Sequence, residues 1–367
     1  MSAPRKSSRR EFLQGKSAAD AVADAADAAW GGPALEPLPE VPTASYLVQW
    51  SRRAMACQFS VYLNSGQYVA SAEAAVAALD LVDELEDQLT VYRDHSEISR
   101  LNAAAAERSV EVEPRLFDLL SQAVAMYHAT GGAYDITAAP LSKVWGFSQR
   151  AGRIPDSAEL AAARATVGSQ WLELDAESCS VRFLQPGVEI NLASIGKGYA
   201  LDRASQQLAA AEIHDFLLHG GHSSVLARGS CASESTGGWS VGVRNPLRPE
   251  QRLGELRLYD EALSTSGSGT QFFVHNGRRY GHILDPRSGW PAEGVLSATV
   301  IAPTAARAEA LSTALYVLGA DAARALCDRQ TGVGAIILCA GRRAGSLDVH
   351  CIGRAEDTWQ KLENSGP

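Results

Sequence analysis

Residues Ile190 to Ala200 read INLASIGKGYA. An apolar strand end enters a small-residue turn, and Gly196-Lys197-Gly198 opens a helix. Backbone N–H groups at a helix start, with a lysine beside them, form a natural phosphate seat. Many strand–glycine–helix joints bind nothing, so this stretch alone leaves both readings open. It does decide against one fold. No G-x-G-x-x-G follows a strand anywhere in the chain and no Walker A motif occurs, which disfavours a Rossmann domain.

Working outward, the pattern predicts a helix over Gly196 to Ala211, with Leu201, Ala204 and Leu208 facing inward. Before it, from Trp171 to Leu192, short strands alternate with turns. After it come strand-like runs at Phe216–Leu218, Ser224–Ala227, Trp239–Val243, Leu253–Leu258, Leu263–Ser266, Phe272–Val274 and Ala298–Ile301. Helices are expected over Ala305 to Leu318 and Ala320 to Arg329, jointed at Gly319, and then a buried final strand over Gly334 to Cys339. Nearer the start, Tyr46 to Leu63 reads as strand, break at Arg52–Ala56, strand. Ser71 to Leu89 carries Ala75, Ala78, Leu79, Val82, Leu85 and Leu89 at three- and four-residue steps, one helical stripe with Ser71 as its expected N-cap. A further helix runs near Pro114 to Thr130 and stops at Gly131-Gly132. The sum is an α/β chain of the mixed α+β kind, with meandering strands between isolated helices.

Forty-two acidic against thirty-three basic side chains leave a formal charge of −9 at pH 7, which gives no general attraction for nucleic acid or anionic membrane. With 46% apolar and 20% charged residues over 367 positions, the chain can bury a large core. No run of about eighteen apolar residues marks a membrane span. The six cysteines form no C-x-x-C pair and are read as buried free thiols.

Residues 1–45 read as a poorly ordered leader. Ser8-Arg9-Arg10-Glu11-Phe12-Leu13 is similar to a twin-arginine export signal, yet Asp20, Asp24 and Asp27 interrupt the apolar run such a signal needs. Gly31 to Pro42 then forms a Pro/Gly-rich tether. The interrupted run and the unpaired thiols favour a cytoplasmic protein; periplasmic delivery by twin-arginine export is the alternative.

Five stretches are richer in polar and glycine residues than packing requires. Leu89 to Asn102, LTVYRDHSEISRLN, reads as a helix exit and capped turn. Gly131 to Leu141, GGAYDITAAPL, sets Asp135 between Tyr134 and Ile136, where a carboxylate needs a partner. The third is INLASIGKGYA. In the fourth, the turn Thr265–Gly269 leaves N–H groups free for a ligand, and His282 stands beside the Asp285-Pro286 turn. That histidine suits either a general base or a hydrogen-bonded structural role. In the fifth, RAEALSTALYVLG from Arg307, Glu309 and Thr313 lie one helical turn apart. The pair fits a hard, oxygen-liganded cation such as Mg²⁺, or a solvated face.

In their order, these stretches resemble the ApbE family, the FAD:protein FMN transferases, together with Met55, the GKGYALDRA helix, His219-Gly220-Gly221, SGSGTQFF and HILDPRSGWP. The resemblance covers roughly residues 46 to 340. It implies a two-part structure with a T-fold-like core, two intertwined subdomains over residues 46–355 and a C-terminal tail over 356–367. It also implies an enzyme that moves the FMN moiety of FAD onto a threonine hydroxyl of a target flavoprotein, a redox-complex subunit, with Mg²⁺ present and AMP released. By matched position, His282 becomes the base, Lys197 sits near the phosphates or braces the turn, and Asp135 and Asp285 order the site. Glu309, Thr313 and the Gly196 carbonyl hold the metal. Met55, Tyr92, Glu97 and Asn102 line the flavin and adenine parts of the cleft, with Ser266 and Gly267 also binding the cofactor.

The chain departs from the family pattern at several points. Asp-Leu-Gly-Gly becomes Asn191-Leu192-Ala193-Ser194, Gly-Gly-Asp becomes Gly220-Gly221-His222, the acid of the Ser-Gly-Asp turn becomes Ser268, and the metal-holding aspartate becomes Glu309. These losses keep two other activities open: an FAD carrier or sensor that does not transfer, and a metal-dependent FAD pyrophosphatase yielding FMN and AMP.

Overall fold

Alternation along the strands sorts their side chains into two cores. In strand Phe216–Gly220, Phe216 and Leu218 enter one cluster while Leu217 enters the other. In Gly334–Ala340, Ala335 and Ile337 face one way, Ile336 and Leu338 the other. This is the period-2 geometry of a sheet covered on both faces. The computed structural model describes residues 46–269, 271–343 and 345–362; the expected leader, with its arginine pair and tether, lies outside them.

The strands in chain order are β1 Leu47–Ala54, β2 Cys57–Asn64, β3 Val110–Glu111, β4 Leu172–Asp175, β5 Ser180–Phe183, β6 Phe216–Gly220, β7 Ser224–Arg228, β8 Trp239–Asn245, β9 Arg248–Leu258, β10 Ala262–Gly267, β11 Phe272–His275, β12 Arg278–Gly281, β13 Val295–Ala302, β14 Gly334–Ala340, β15 Leu347–Gly353 and β16 Trp359–Lys361. The helices are α1 Ser71–Leu89, α2 Glu97–Ala104, α3 Pro114–Ala129, α4 Ala139–Val144, α5 Ser157–Ala165, α6 Gly196–Ala210, α7 Ala305–Leu318, α8 Ala320–Cys327 and α9 Arg354–Thr358. An eight-stranded sheet runs β1-β2-β6-β7-β10-β13-β14-β15, every neighbouring pair antiparallel. The chain is thus a mixed helix-and-sheet protein, and its main sheet contains no parallel βαβ pair.

One face of that sheet carries α1, α6 and α7, whose Val82, Leu85, Leu201, Leu208, Leu311 and Leu315 fill the larger core. The other face is covered by the three-stranded sheet β16-β9-β8, through Trp239, Leu256 and Leu258. A third cluster surrounds Trp145, whose indole Nε1–H donates to the Gly289 carbonyl at 2.8 Å. Helix α7 has no polar side: small and apolar residues are buried around its circumference, and Glu309 is buried among them at 4% exposure. A carboxylate on such a helix requires a partner.

Several elements differ from expectation. The break in the first hairpin is only Met55–Ala56, both at positive φ, 48° and 59°. Two such residues make the tight turn that matches strand twist, so β1 continues through Arg52 and Arg53. Helix α1 starts at Ser71 itself, and its cap is Ala70 without a side-chain bond. The strand expected to be last is followed by β15 and β16. The expected C-terminal tail therefore contributes an edge strand, with Trp359–Lys361 paired to β9. Helices α2, α4 and α5 were not expected; each is short, with too few turns to show a stripe. The six cysteines are all free. Among the described residues no helix is long and apolar enough to cross a membrane.

Candidate active site

The first turn of α6, the inner face of α7, and the ends of β6, β10 and β12 converge on one cleft of about 1550 Å³. Helices α6 and α7 touch because Gly198 has no side chain: a Cβ there would stand 2.3 Å from the Ala305 carbonyl oxygen. That contact brings the half-buried Lys197 onto the buried Glu309 as an ion pair, and the Gly198 N–H donates to Glu309 Oε2 at 2.7 Å. Burial alone would lower the Lys197 pKa; the Glu309 carboxylate outweighs it and holds the ammonium above its ordinary value. Asp202, one turn further along α6, caps α7 by accepting from Ala305 N at 2.8 Å and Ala306 N at 2.9 Å. Burial pushes this carboxyl up to about 6.

One turn beyond Glu309, Thr313 donates its hydroxyl to the Glu309 carbonyl at 3.2 Å and lies 3.2 Å from Ser266 Oγ. Ser266 also shares a 2.8 Å bond with Ser312. The end of β10 and helix α7 thus set a row of hydroxyls at the cleft wall, with Gly267 and Ser268 beside them. Thr265 to Gly267 are paired strand rather than the expected turn, and the Thr265 N–H donates to the Ser223 carbonyl at 2.8 Å. His282 follows β12. Its Nδ1 lies 3.0 Å from the Gln271 carbonyl oxygen, which only accepts, so Nδ1 carries the hydrogen and Nε2 keeps its lone pair. Burial lowers the imidazole pKa and the Lys197 charge lowers it further, against the Gln271 bond. The ring is neutral at pH 7, with an acceptor available.

Lys197, Ser266, Gly267, His282, Glu309 and Thr313 line one cleft, as do Asp135 and the 80%-exposed Tyr92. Asp135 is already occupied: Oδ1 accepts from Thr137 N, Thr137 Oγ1 and Ser169 Oγ, and Oδ2 from Ser169 N. It ties the strand-entry loop to the cleft wall. Five expected residues do not line the cleft. Asp285 makes an Asx turn and a two-point ion pair with Arg287, ordering the loop after His282. Glu97 accepts from Gln88 and from Glu113 N. Asn102 pairs with both backbone groups of Ile190, at 2.9 and 2.8 Å. Met55 packs at the hairpin turn against the larger core. Gly196 is buried at the start of α6, its N–H donating to the Leu192 carbonyl. Glu97, Asn102 and Asp285 are polar groups engaged by neighbouring backbone and side chains, and sequence spacing does not distinguish that use from ligand binding.

Four contributors had no assigned role. Asp202 lies within GKGYALDRA but caps a helix about a hundred residues away. Gln271 acts through its carbonyl, which any residue type supplies. Tyr134 is fully buried, and its hydroxyl has no hydrogen-bond partner among the described residues. His219 lines the cleft edge-on to Tyr62 at 5.2 Å; burial first, then His222, pushes its pKa down to about 4.

Proteins of one known class are similar to this chain in sequence and in fold. An FAD:protein FMN transferase of Klebsiella pneumoniae is 32% identical over 271 residues, spanning 73% of this chain and 83% of its own length. One from Treponema pallidum is 31% identical over 311 residues, 80% of this chain and 85% of its own. Among solved structures, the ApbE protein of Thermotoga maritima superposes with a TM-score of 0.73 at 29% identity, covering 83% of this chain and 96% of that one. The apo flavinyl transferase ApbE of Pseudomonas stutzeri gives 0.74 at 28%, covering 85% and 96%. The ApbE family model matches residues 55–337. The chain belongs to the ApbE family.

Proposed function

We propose that this chain is an FAD:protein FMN transferase that moves the FMN part of FAD onto a threonine hydroxyl of a target flavoprotein, a subunit of a redox complex, and releases AMP. The observation that carries this reading is His282, neutral and with Nε2 free, in the same cleft as the Lys197–Glu309 pair at the α6 start. The acceptor oxygen attacks the FMN-side phosphorus and the bond from that phosphorus to the bridging oxygen breaks. The hydroxyl proton passes to His282 Nε2, and AMP leaves with the bridging oxygen. Lys197 and the N-terminal end of α6 place positive charge where the diphosphate's negative charge redistributes.

The donor chemistry also fits Mg²⁺. Among the described residues no three His, Cys, Asp or Glu side chains cluster, but Mg²⁺ is commonly held by one or two carboxylates together with substrate phosphates. Glu309 and Thr313, both in the cleft wall, would hold the ion, with Lys197 giving up its place on the carboxylate. When bound, the ion neutralises diphosphate charge. Lys197, released, faces the phosphates, while His282 retains its tautomer through Gln271.

The test is incubation with FAD, Mg²⁺ and a flavoprotein substrate of a family member, with intact-mass detection of an added FMN and release of AMP. Adduct formed by the wild type and lost in His282→Gln supports the reading. FAD bound without adduct on any substrate rejects transfer, and FMN with AMP appearing in the absence of target identifies a pyrophosphatase.

A further inference from the structure

The cleft wall holds a hydroxyl that the fold does not use. Tyr134 is fully buried, its ring borders the cleft, and its oxygen makes no hydrogen bond of ordinary geometry among the described residues. A phenylalanine would fill the same space without stranding a polar atom, and a stranded buried hydroxyl destabilises the chain. The neighbouring hydroxyl is that of Ser194, half-buried, lining the cleft two residues ahead of α6. The chain thus has a serine at a position where the family pattern has glycine, and a phenol behind it.

We propose that Tyr134 and Ser194 form a hydroxyl relay: Tyr134 O–H donates to Ser194 Oγ, which turns its own proton onto a non-bridging oxygen of the dinucleotide's diphosphate at the start of α6. The relay rests on the FAD reading above. Ser194 is the residue that touches the ligand; Tyr134 is a positioning residue, since its own oxygen is shielded from the cleft. A hydroxyl can accept one hydrogen bond while donating another, so the buried phenol is satisfied when Ser194 takes up this orientation. The relay also supplies donors on the side of the cleft where Ala193 and Ser194 replace two glycines.

Binding of FAD, ADP and riboflavin is measured by flavin fluorescence and by ligand-induced shift of the melting temperature, for wild type, Tyr134→Phe, Ser194→Ala and the double variant. Each single variant is expected to weaken FAD and ADP by about five- to tenfold, the range of one neutral hydrogen bond. Riboflavin, which lacks phosphate, is expected to bind unchanged. The double variant loses no more than either single one, because the two hydroxyls act in series. Apo Tyr134→Phe melts no lower than wild type. The proposal is overturned if FAD affinity is unchanged in Tyr134→Phe, if riboflavin weakens equally, or if apo Tyr134→Phe melts several degrees lower with FAD affinity intact, which marks a structural hydroxyl. A wild type that binds neither FAD nor ADP overturns the FAD reading itself; normal wild-type binding with unaffected variants overturns only the relay.

Discussion

Exchanging Gly198 for alanine tests whether the α6–α7 junction assembles the site. The added methyl would lie 2.3 Å from the Ala305 carbonyl oxygen, 2.5 Å from its carbon and 2.7 Å from Ala306 N, all backbone atoms that cannot swing aside. The helices must separate. Overpacking of this kind costs about 1–3 kcal/mol. Separation also stretches the 2.7 Å bond from Gly198 N–H to Glu309, a charge-assisted bond worth about 1.5–3 kcal/mol. Together the loss is about 4 kcal/mol, which at roughly 2 °C per kcal/mol for a large domain lowers the melting temperature by about 8 °C. Gly196→Ala is the internal control. A Cβ at Gly196 meets only Leu192 and Leu89 atoms at 4.0 Å, and alanine favours helix, so its stability changes by about 1 kcal/mol at most. Thermal and urea unfolding of both variants, alongside FAD titration, provide the readout. Equal stability of the two variants, or full FAD affinity in Gly198→Ala, refutes the claim that this contact builds the site.

Three further outcomes are expected. His282→Gln binds FAD as wild type does but transfers about 10²–10⁴-fold more slowly; because burial holds the wild-type pKa below that of an ordinary imidazole, the acid-side fall in kcat comes at lower pH than a free imidazole gives, as shown by a pH–rate profile. His219 is pushed down to about 4 in the folded chain. Between that value and about 6.5 the unfolded state binds the proton more readily, so its contribution is complete above 6.5 and roughly 3 kcal/mol is lost as pH falls to 4. His219→Gln flattens that part of a stability–pH curve from denaturant unfolding, and an unchanged slope refutes the assignment. Asp202→Ala uncovers the Ala305 and Ala306 N–H groups at the start of α7 and lowers unfolding free energy by about 2 kcal/mol, checked by the same denaturant titration.

The family, the mixed helix-and-sheet class and several helix and strand positions were legible in the residue pattern, because periodicity is local. Helix α1 over Ser71–Leu89 and helix α7 over Ala305–Leu318 end where their apolar runs end. The motifs INLASIGKGYA and RAEALSTALYVLG likewise single out Lys197, Glu309 and Thr313 as candidates from the residue pattern alone. Which of those groups meet is a different matter. Lys197 and Glu309 are 112 residues apart, and their contact depends on a missing Cβ at Gly198 against the Ala305 backbone. Glu97, Asn102 and Asp285 look like site residues in one dimension, yet Glu97 bonds Gln88 and the Glu113 N–H, Asn102 bonds the Ile190 backbone and Asp285 bonds Arg287. Tyr134 looks like core, yet its oxygen is stranded at the cleft wall. A residue's type states which bonds it can make; only the packed chain decides which of those bonds are already taken.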